Sequence, residues 1–274
     1  MNTIGVIRNE DKKETGAIAE RIRRYLEKRG VKCRVFPDDG ETSGCDAFVV
    51  LGGDGTMLRA AKAIGDSDTP ILGVNLGRLG YLTEVDAGSI EPALDRVLDG
   101  RFSVERRMMI RGQVFRDGRC ECDDIALNDI VVSRKLPLRA FRINNYVNGE
   151  YLNSFTGDGE IFSTATGSTG YNLSVGGPIV SPVAELIVMT PHAPHSLISR
   201  SIVLSGDSRI RLEVASGSTG NEADALEVVY DGGGNISIGT GDFLEVSRSE
   251  RYTTLIKLSN ISFLDVLRKK MADE

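Results

Sequence analysis

Gly52-Gly53-Asp54-Gly55-Thr56 sets one carboxylate among three glycines. The apolar run Ala47 to Leu51 leads into it. Met57-Leu58-Arg59-Ala60-Ala61-Lys62-Ala63-Ile64 follows with apolar residues at helical spacing. The pattern predicts a strand, a tight turn and a helix N-terminus. Glycines permit close backbone approach, and the free N–H groups of a helix start bind anions, phosphate above all. A bare anion cradle gains nothing from a carboxylate. A site that holds a metal ion, or takes a proton from a hydroxyl, does. The competing reading of Asp54 is a helix N-cap. A second glycine-rich segment, Asn75-Leu76-Gly77-Arg78-Leu79-Gly80-Tyr81-Leu82, follows the strand-like Pro70 to Val74. It reads as a second backbone contact to ligand, or as a tight turn.

Three further clusters lie downstream. Asn128-Asp129 ends an apolar run, and an amide beside a carboxylate supplies the donors and acceptors that paired sugar hydroxyls need; a plain turn is the alternative. Gly157-Asp158-Gly159 precedes Thr164-Ala165-Thr166-Gly167-Ser168-Thr169-Gly170-Tyr171-Asn172-Leu173-Ser174-Val175-Gly176-Gly177-Pro178. Its hydroxyls and amides suit adenine and phosphate, and its tyrosine can stack on a base; a flexible Ser/Gly loop is the alternative. Thr190-Pro191-His192-Ala193-Pro194-His195-Ser196-Leu197 holds both histidines. With proline at 191 and 194 they do not share a helix face, so no metal site is expected and a structural role near a nucleotide pocket is. Cys33, Cys45, Cys120 and Cys122 read as free thiols.

The elements that position these residues change character along the chain. Up to Gly100, strands and helices alternate: Thr3–Ile7, a helix over 11–29 closed by Gly30, Val31–Phe36 and a turn at Pro37-Asp38-Asp39-Gly40, then 46–51, a helix over 57–65, 70–74 and a helix over 89–98. That order predicts a parallel, Rossmann-like α/β sheet with ligand at the carboxyl ends of its strands, where Asp54 and Asn75 fall. Beyond residue 100 the runs are short and strand-like: 101–115, 124–133, 139–147, 201–205, 209–214, 225–230, 235–238, 242–247 and 252–258. Asp117-Gly118 and Asn148-Gly149 mark hairpins. An all-β sandwich is expected over 101–259. A helix over 260–271, with Ile261, Phe263, Leu264, Val266 and Leu267 apolar, is expected to pack on the 1–100 domain.

The composition narrows the partners. Of 274 residues, 41 % are hydrophobic and 26 % charged, and the net charge is −6. These values fit a globular protein without the basic footprint of a nucleic-acid binder. No apolar run approaches a bilayer-spanning length, and the N-terminus lacks a signal-peptide pattern, so the expected compartment is cytoplasmic. There is no G-x-x-x-x-G-K-[ST] loop, no G-x-G-x-x-G after the first strand and no G-x-S-x-G elbow.

The loop at 52–56 resembles one shared by NAD kinases, diacylglycerol and sphingosine kinases and, more loosely, 6-phosphofructokinases. The other clusters, in this order, resemble the NAD kinase family over most of the chain: Asn75-x-Gly77-x-Leu79-Gly80-Tyr81-Leu82, Leu127-Asn128-Asp129, Thr166 to Tyr171, Ser174-x-Gly176-Gly177-Pro178, and Pro191-x-x-Pro194-His195-Ser196-Leu197 with Arg200. Asp129 stands where the family usually has glutamate, Gly170 replaces alanine and Tyr81 replaces phenylalanine. Thr156 takes a place where several members carry arginine, and Asp231-Gly232-Gly233 partly matches an Asp-Gly-Gln segment. The resemblance implies transfer of the γ-phosphoryl group of ATP, with Mg²⁺ or another divalent metal, to the 2′-hydroxyl of the adenosine ribose of NAD. It implies Asp54 as the catalytic carboxylate, with Gly53 and Gly55 of the glycine loop at the phosphates and Asn75 among the nucleotide-binding residues. It implies Asn128, Asp129, Thr166, Thr169, Gly170 and Tyr171 on NAD, with Asp158 and Ser174 close by, and a homodimer or homotetramer. Polyphosphate is an alternative donor. A lipid or sphingoid kinase, or a non-catalytic NAD(P)-binding sensor, is the alternative function.

Overall fold

The computed structural model describes residues 1–38, 40, 42–65, 68–77, 80–135, 141–196, 199–215, 226–259 and 261–272. Asp39 of the expected turn, Arg78 and Leu79 of the second glycine segment, Arg139, Leu197, Ala225 and Asn260 lie outside these residues.

In chain order the first elements are β1 (Thr3–Arg8), α1 (Lys13–Glu27), β2 (Lys32–Pro37), β3 (Ala47–Leu51), α2 (Asp54–Ala63), β4 (Ile71–Asn75), β5 (Val85–Asp86) and α3 (Ile90–Leu98). Then come β6 (Ser103–Arg116), β7 (Arg119–Ala126), β8 (Asp129–Arg134), β9 (Phe141–Val147), β10 (Glu150–Gly157) and β11 (Gly159–Thr164). The short helix α4 (Tyr171–Ser174) precedes β12 (Leu186–His192), β13 (Ile202–Ser205), β14 (Ile210–Val214), β15 (Leu226–Tyr230), β16 (Gly233–Ile238), β17 (Phe243–Lys257) and α5 (Phe263–Ala272). Two compact units result: Met1–Arg107 with Arg251–Glu274, and Met108–Glu250.

In the first unit β2, β1, β3 and β4 form a parallel sheet in that order, with Val6 level with both Val35 and Val49. β3 and β4 are buried along their whole length, as central parallel strands covered on both faces must be. Ala19, Ile22 and Leu26 of α1 and Ile90, Ala93, Leu94 and Val97 of α3 recur at three- and four-residue spacing, and both stripes join the core around Val6, Val49, Leu72 and Val74. α2 starts at Asp54, three residues before the expected start. Gly53 is extended and its carbonyl already accepts from the N–H groups of Thr56 (3.0 Å) and Met57 (3.1 Å). The far end of α2 is tied by the Arg251 guanidinium, which donates to the carbonyls of Ala61, Lys62 and Ile64; a cation there also meets the negative end of the helix dipole. Within this unit α5 docks through Phe263, whose ring lies 6.3 Å from that of Tyr81, while Leu264 stays exposed.

The second unit is built of two antiparallel sheets. One runs β10-β9-β14-β17 with β6 and β7 alongside, the other β13-β12-β11-β8-β15-β16. The sheets face each other. Tyr230 donates its hydroxyl to Gly112 O at 3.1 Å, and a Cβ on Gly112 would come within 2.7 Å of that ring. The Asp-Gly and Asn-Gly turns have both central residues left-handed, at φ 50° and 75° and at 52° and 84°, as two-residue hairpins require.

Two expectations change. The run 124–133 is not one strand: β7 stops at Ala126 and β8 starts at Asp129, because a carboxylate from elsewhere captures the intervening N–H groups. The runs 242–247 and 252–258 are one strand, β17. Buried positions run Asp242, Leu244 and Val246, then shift by one to Ser249 between exposed Arg248 and Glu250; the strand stays continuous through this change of face, so the polar stretch is not a break. Thr190, Pro191 and His192 belong to β12.

Candidate functional site

In the first unit the carboxyl ends of β3 and β4 lie side by side, joined by a bond from Gly52 N to Val74 O at 3.0 Å. Both glycine segments leave the sheet here. Asp54 does not cap α2; it is the first helical residue. Its carboxylate reaches the second segment, accepting from Tyr81 N at 2.9 Å through Oδ2 and from Leu82 N at 3.0 Å through Oδ1. Gly80 lies so close that a Cβ there would sit 2.1 Å from Asp54 Oδ1. Asn75 closes its own turn. Its Oδ1 accepts from Gly77 N at 3.0 Å and its Nδ2 donates to Gly77 O at 2.7 Å.

The glycines of this edge divide into two kinds. Gly52 is required by the protein itself, since a Cβ would strike Thr56 Oγ1 at 2.3 Å, and Gly80 is required by Asp54. Gly53 and Gly77 face open space within 4 Å, and Gly55 meets only the tip of Arg59 at 4.0 Å. Their bareness serves no internal contact; at Gly53 and Gly55 it lets an anion approach the backbone at the start of α2, while the Gly77 N–H is already taken by Asn75 Oδ1.

In the second unit the break between β7 and β8 presents Asn128 and Asp129. The Asp231 carboxylate accepts from the N–H groups of Leu127 (2.7 Å), Asn128 (2.7 Å) and Asp129 (3.1 Å). The Asn128 carbonyl accepts from Thr164 N at 2.8 Å, tying this corner to the end of β11. Gly167 and Gly170 pack directly against it: a Cβ on Gly167 would lie 2.2 Å from Asn128 O, and one on Gly170 would lie 3.5 Å from Asn128 Nδ2 and 3.8 Å from Asp129 Oδ2. Asn128, Asp129 and Gly170 are thus brought together, with Thr166 next in the chain to Gly167. Burial pushes the Asp129 carboxyl up to about 7, with the nearby Asp231 charge adding to it.

Several hydroxyls of the block serve the fold instead of a ligand. Thr164 donates to Leu127 O at 2.6 Å and accepts from Gly167 N at 3.1 Å. Ser168 donates to Ala165 O at 2.7 Å and accepts from Val180 N at 3.0 Å. Asn172, fully buried, donates to the carbonyls of Ser168 and Pro178 and accepts from Thr190 Oγ1 at 2.7 Å. The segment is a pinned, compact turn and not a flexible loop. On it Tyr171 and Ser174 are exposed, Thr169 is half-exposed and Thr166 is buried.

Asp158 sits at the opposite end of β11 from Asn128. It joins Tyr171 only through His192: Asp158 N donates to His192 O at 2.9 Å, and the His192 and Tyr171 rings meet edge-to-face at 5.6 Å. Its carboxylate pairs with Arg134 at 2.9 Å. His192 stands where the sequence expects a structural role, whereas Arg134 and Asp231 escaped the sequence reading as site-shaping residues. Asp231 left a signal, its Asp-Gly-Gly turn; Arg134 left none. No group of three or more His, Cys, Asp or Glu able to hold a metal occurs among the described residues.

A carboxylate in a glycine loop at the edge of a parallel sheet fits phosphate binding, and the fold alone does not decide the reaction. The comparisons narrow this. Residues 35–102 match the ATP-NAD kinase N-terminal domain and residues 127–258 the ATP-NAD kinase C-terminal domain. The chain is 38 % identical to a NAD kinase of Lachnospira eligens over 99 % of its own length and 100 % of the relative's. It is 44 % identical to a NAD kinase of Caldanaerobacter subterraneus subsp. tengcongensis, over 84 % of this chain and 80 % of that one. A crystal structure of a NAD kinase from Archaeoglobus fulgidus in complex with ATP superposes with a TM-score of 0.79 at 25 % identity, covering 98 % of this chain and 99 % of that one. The fold is also that of yeast NADH kinase complexed with NADH, with a TM-score of 0.84 at 22 % identity, covering 99 % and 88 %. The chain belongs to the NAD kinase family, and its members are phosphotransferases.

Proposed function

We propose that this chain transfers the γ-phosphoryl group of ATP to the 2′-hydroxyl of the adenosine ribose of NAD, giving NADP. The observation that carries the mechanism is the placement of Asp54. Two backbone N–H bonds from Tyr81 and Leu82 fix its carboxylate at the start of α2, beside glycines whose missing side chains leave open space. A carboxylate so held cannot swing away, and it stands ready to accept the ribose hydroxyl's proton as the oxygen attacks phosphorus. Each N–H bond leaves it a free lone pair for that proton. The open amides of the glycine loop and the N-terminus of α2 receive phosphate oxygens. The family's metal is Mg²⁺, and the donors fit it. Mg²⁺ would be held mainly by the nucleotide phosphates, and the alternative role of Asp54 would be to help order that ion and the phosphates. When bound, it neutralises charge on the transferred group. Asn128 and Asp129 hold the ribose hydroxyls, and Tyr171 and Thr169 face the base.

The reading carries a cytoplasmic enzyme that forms a homodimer or homotetramer; a monomer by light scattering would remove the second part. The reaction is tested by incubating the purified protein with NAD, ATP and Mg²⁺ and detecting NADP with an NADP-specific dehydrogenase. NADP formation is the expected result. Formation with polyphosphate and not with ATP would correct the donor. Neither NADP formation nor NAD binding would overturn the reading.

A further inference from the structure

At the corner that presents Asn128 and Asp129, between the end of β7 at Ala126 and the start of β8 at Asp129, the N–H groups turn away from the neighbouring strands. Its three consecutive N–H groups, from Leu127, Asn128 and Asp129, all end on the carboxylate of Asp231, about a hundred residues later in the chain. The return bond, from Asp231 N to Asp129 O at 3.0 Å, closes the contact from the other side. Asp231 itself stands at the tip of the β15–β16 hairpin at φ 50°, a left-handed conformation that aspartate and asparagine tolerate better than most residues. A turn built only to reverse the chain needs none of these bonds.

We propose that Asp231 is a positioning residue of the nucleotide site, fixing the Asn128–Asp129 corner toward the ribose and setting a second negative charge against Asp129. The proposal rests on the reading of Asn128 and Asp129 as the ribose-holding pair. Its electrostatic half has a signature of its own. Among the titratable groups on the surrounding strands are Asp123 and Asp124 on β7, Arg134 on β8, Glu160 on β11, and Glu227 and Tyr230 on β15; burial raises Asp129 most, and the charge that adds to it is that of Asp231. An ionised Asp129 accepts from both ribose hydroxyls. NAD binding therefore tightens as pH rises through about 7.

The test is steady-state kinetics between pH 6 and pH 9, with NAD varied at saturating ATP and Mg²⁺. Asp231→Asn tolerates the left-handed turn and keeps one acceptor, but loses the other acceptor and the charge. It is expected to raise KM for NAD about tenfold, the effect of one lost charge-assisted hydrogen bond. It should leave kcat and the KM for ATP near wild type, and move the midpoint of the NAD pH dependence to lower pH. Asp231→Glu keeps the charge and displaces the acceptors, so KM rises and the midpoint stays. An unchanged KM for NAD and an unchanged midpoint in Asp231→Asn would overturn the proposal. So would failure of both variants to fold, which would make Asp231 structural. Asn128→Ala separates the two layers: if it raises KM and Asp231→Asn does not, only the proposal fails; if it leaves KM unchanged, the reading of the ribose pair fails with it.

Discussion

In the α/β unit, Asp54 is held by its side chain. Two N–H groups bind the carboxylate directly, and Gly80 gives it room. In the β unit, Asp129 is held by its backbone, through Asp231, while its side chain is nearly buried and its carboxyl is pushed up to about 7. The first arrangement fixes a carboxyl group where a proton must be taken. The second fixes a direction and leaves the group's charge near its tipping point. A base needs a defined charge and a defined place; a binding group needs a defined place and can let its charge vary with pH.

The sharpest way to break this comparison is to disturb the support of Asp54 without touching Asp54. Gly80→Ala drives a Cβ into a carboxylate 2.1 Å away, and that carboxylate must give up its two N–H bonds. The expected result is a loss of about a hundredfold in kcat, the usual scale for an ångström of misplacement, with KM for NAD little changed. Wild-type kcat in this variant would show that the two N–H bonds are incidental.

A smaller effect sharpens the picture of the β unit. Glu160 is 2 % exposed between the sheets, accepts from Asn145 Nδ2 at 2.7 Å, and is pushed by burial up to about 8. Asn145 Oδ1 is buried beside it with no hydrogen-bond partner. The folded state therefore favours the proton-bearing acid. Its contribution to stability is full below about pH 4.5 and is lost as pH rises through about 8. Glu160→Gln is uncharged at every pH and brings an N–H₂ that can reach Asn145 Oδ1. Thermal melts should show it a few degrees more stable than wild type at pH 8.5, with the gap closing by pH 5. A gap of the opposite sign at pH 8.5 would place an ionised Glu160 in the native core.

The smallest expected effect is the control. Arg21 and Glu91 pair at 2.8 Å on the surface of the first unit, with both side chains more than a third exposed. Arg21→Ala should change stability by under about 1 kcal/mol, and less at high salt. A larger change would mean that surface charge, and not the buried carboxyls, governs the pH response.

Much of this was legible in the sequence where neighbours in the chain are neighbours in space. The glycine loop, α2 and the strands before them follow from period and composition, because a parallel strand and the helix after it are local events. The Asp-Gly and Asn-Gly turns likewise announce their left-handed residues. At 127–129 the sequence offers both a strand through 124–133 and a turn, and the group that decides for the break sits at 231. The pairing of Asp54 with Tyr81 and Leu82 was hidden for the same reason, although both segments had been singled out. Glu160 gave no sign, since an acid in a strand of a sandwich ordinarily faces water. The hydroxyl-rich block was legible as a site, but not which hydroxyls are spent on the fold: Thr164 and Ser168 donate to backbone carbonyls at 2.6 and 2.7 Å, whereas Thr169 makes only a long bond of 3.4 Å to Thr166 O.

The most direct test of the whole account is Asp54→Asn, assayed for NADP formation and, in the same preparation, for NAD binding by calorimetry. The account predicts turnover lower by at least about a thousandfold, with the NAD dissociation constant within about twofold of wild type and an unchanged melt. Retained turnover would contradict it by removing the base. Turnover lost together with NAD binding or with the fold would also contradict it, making Asp54 a structural residue.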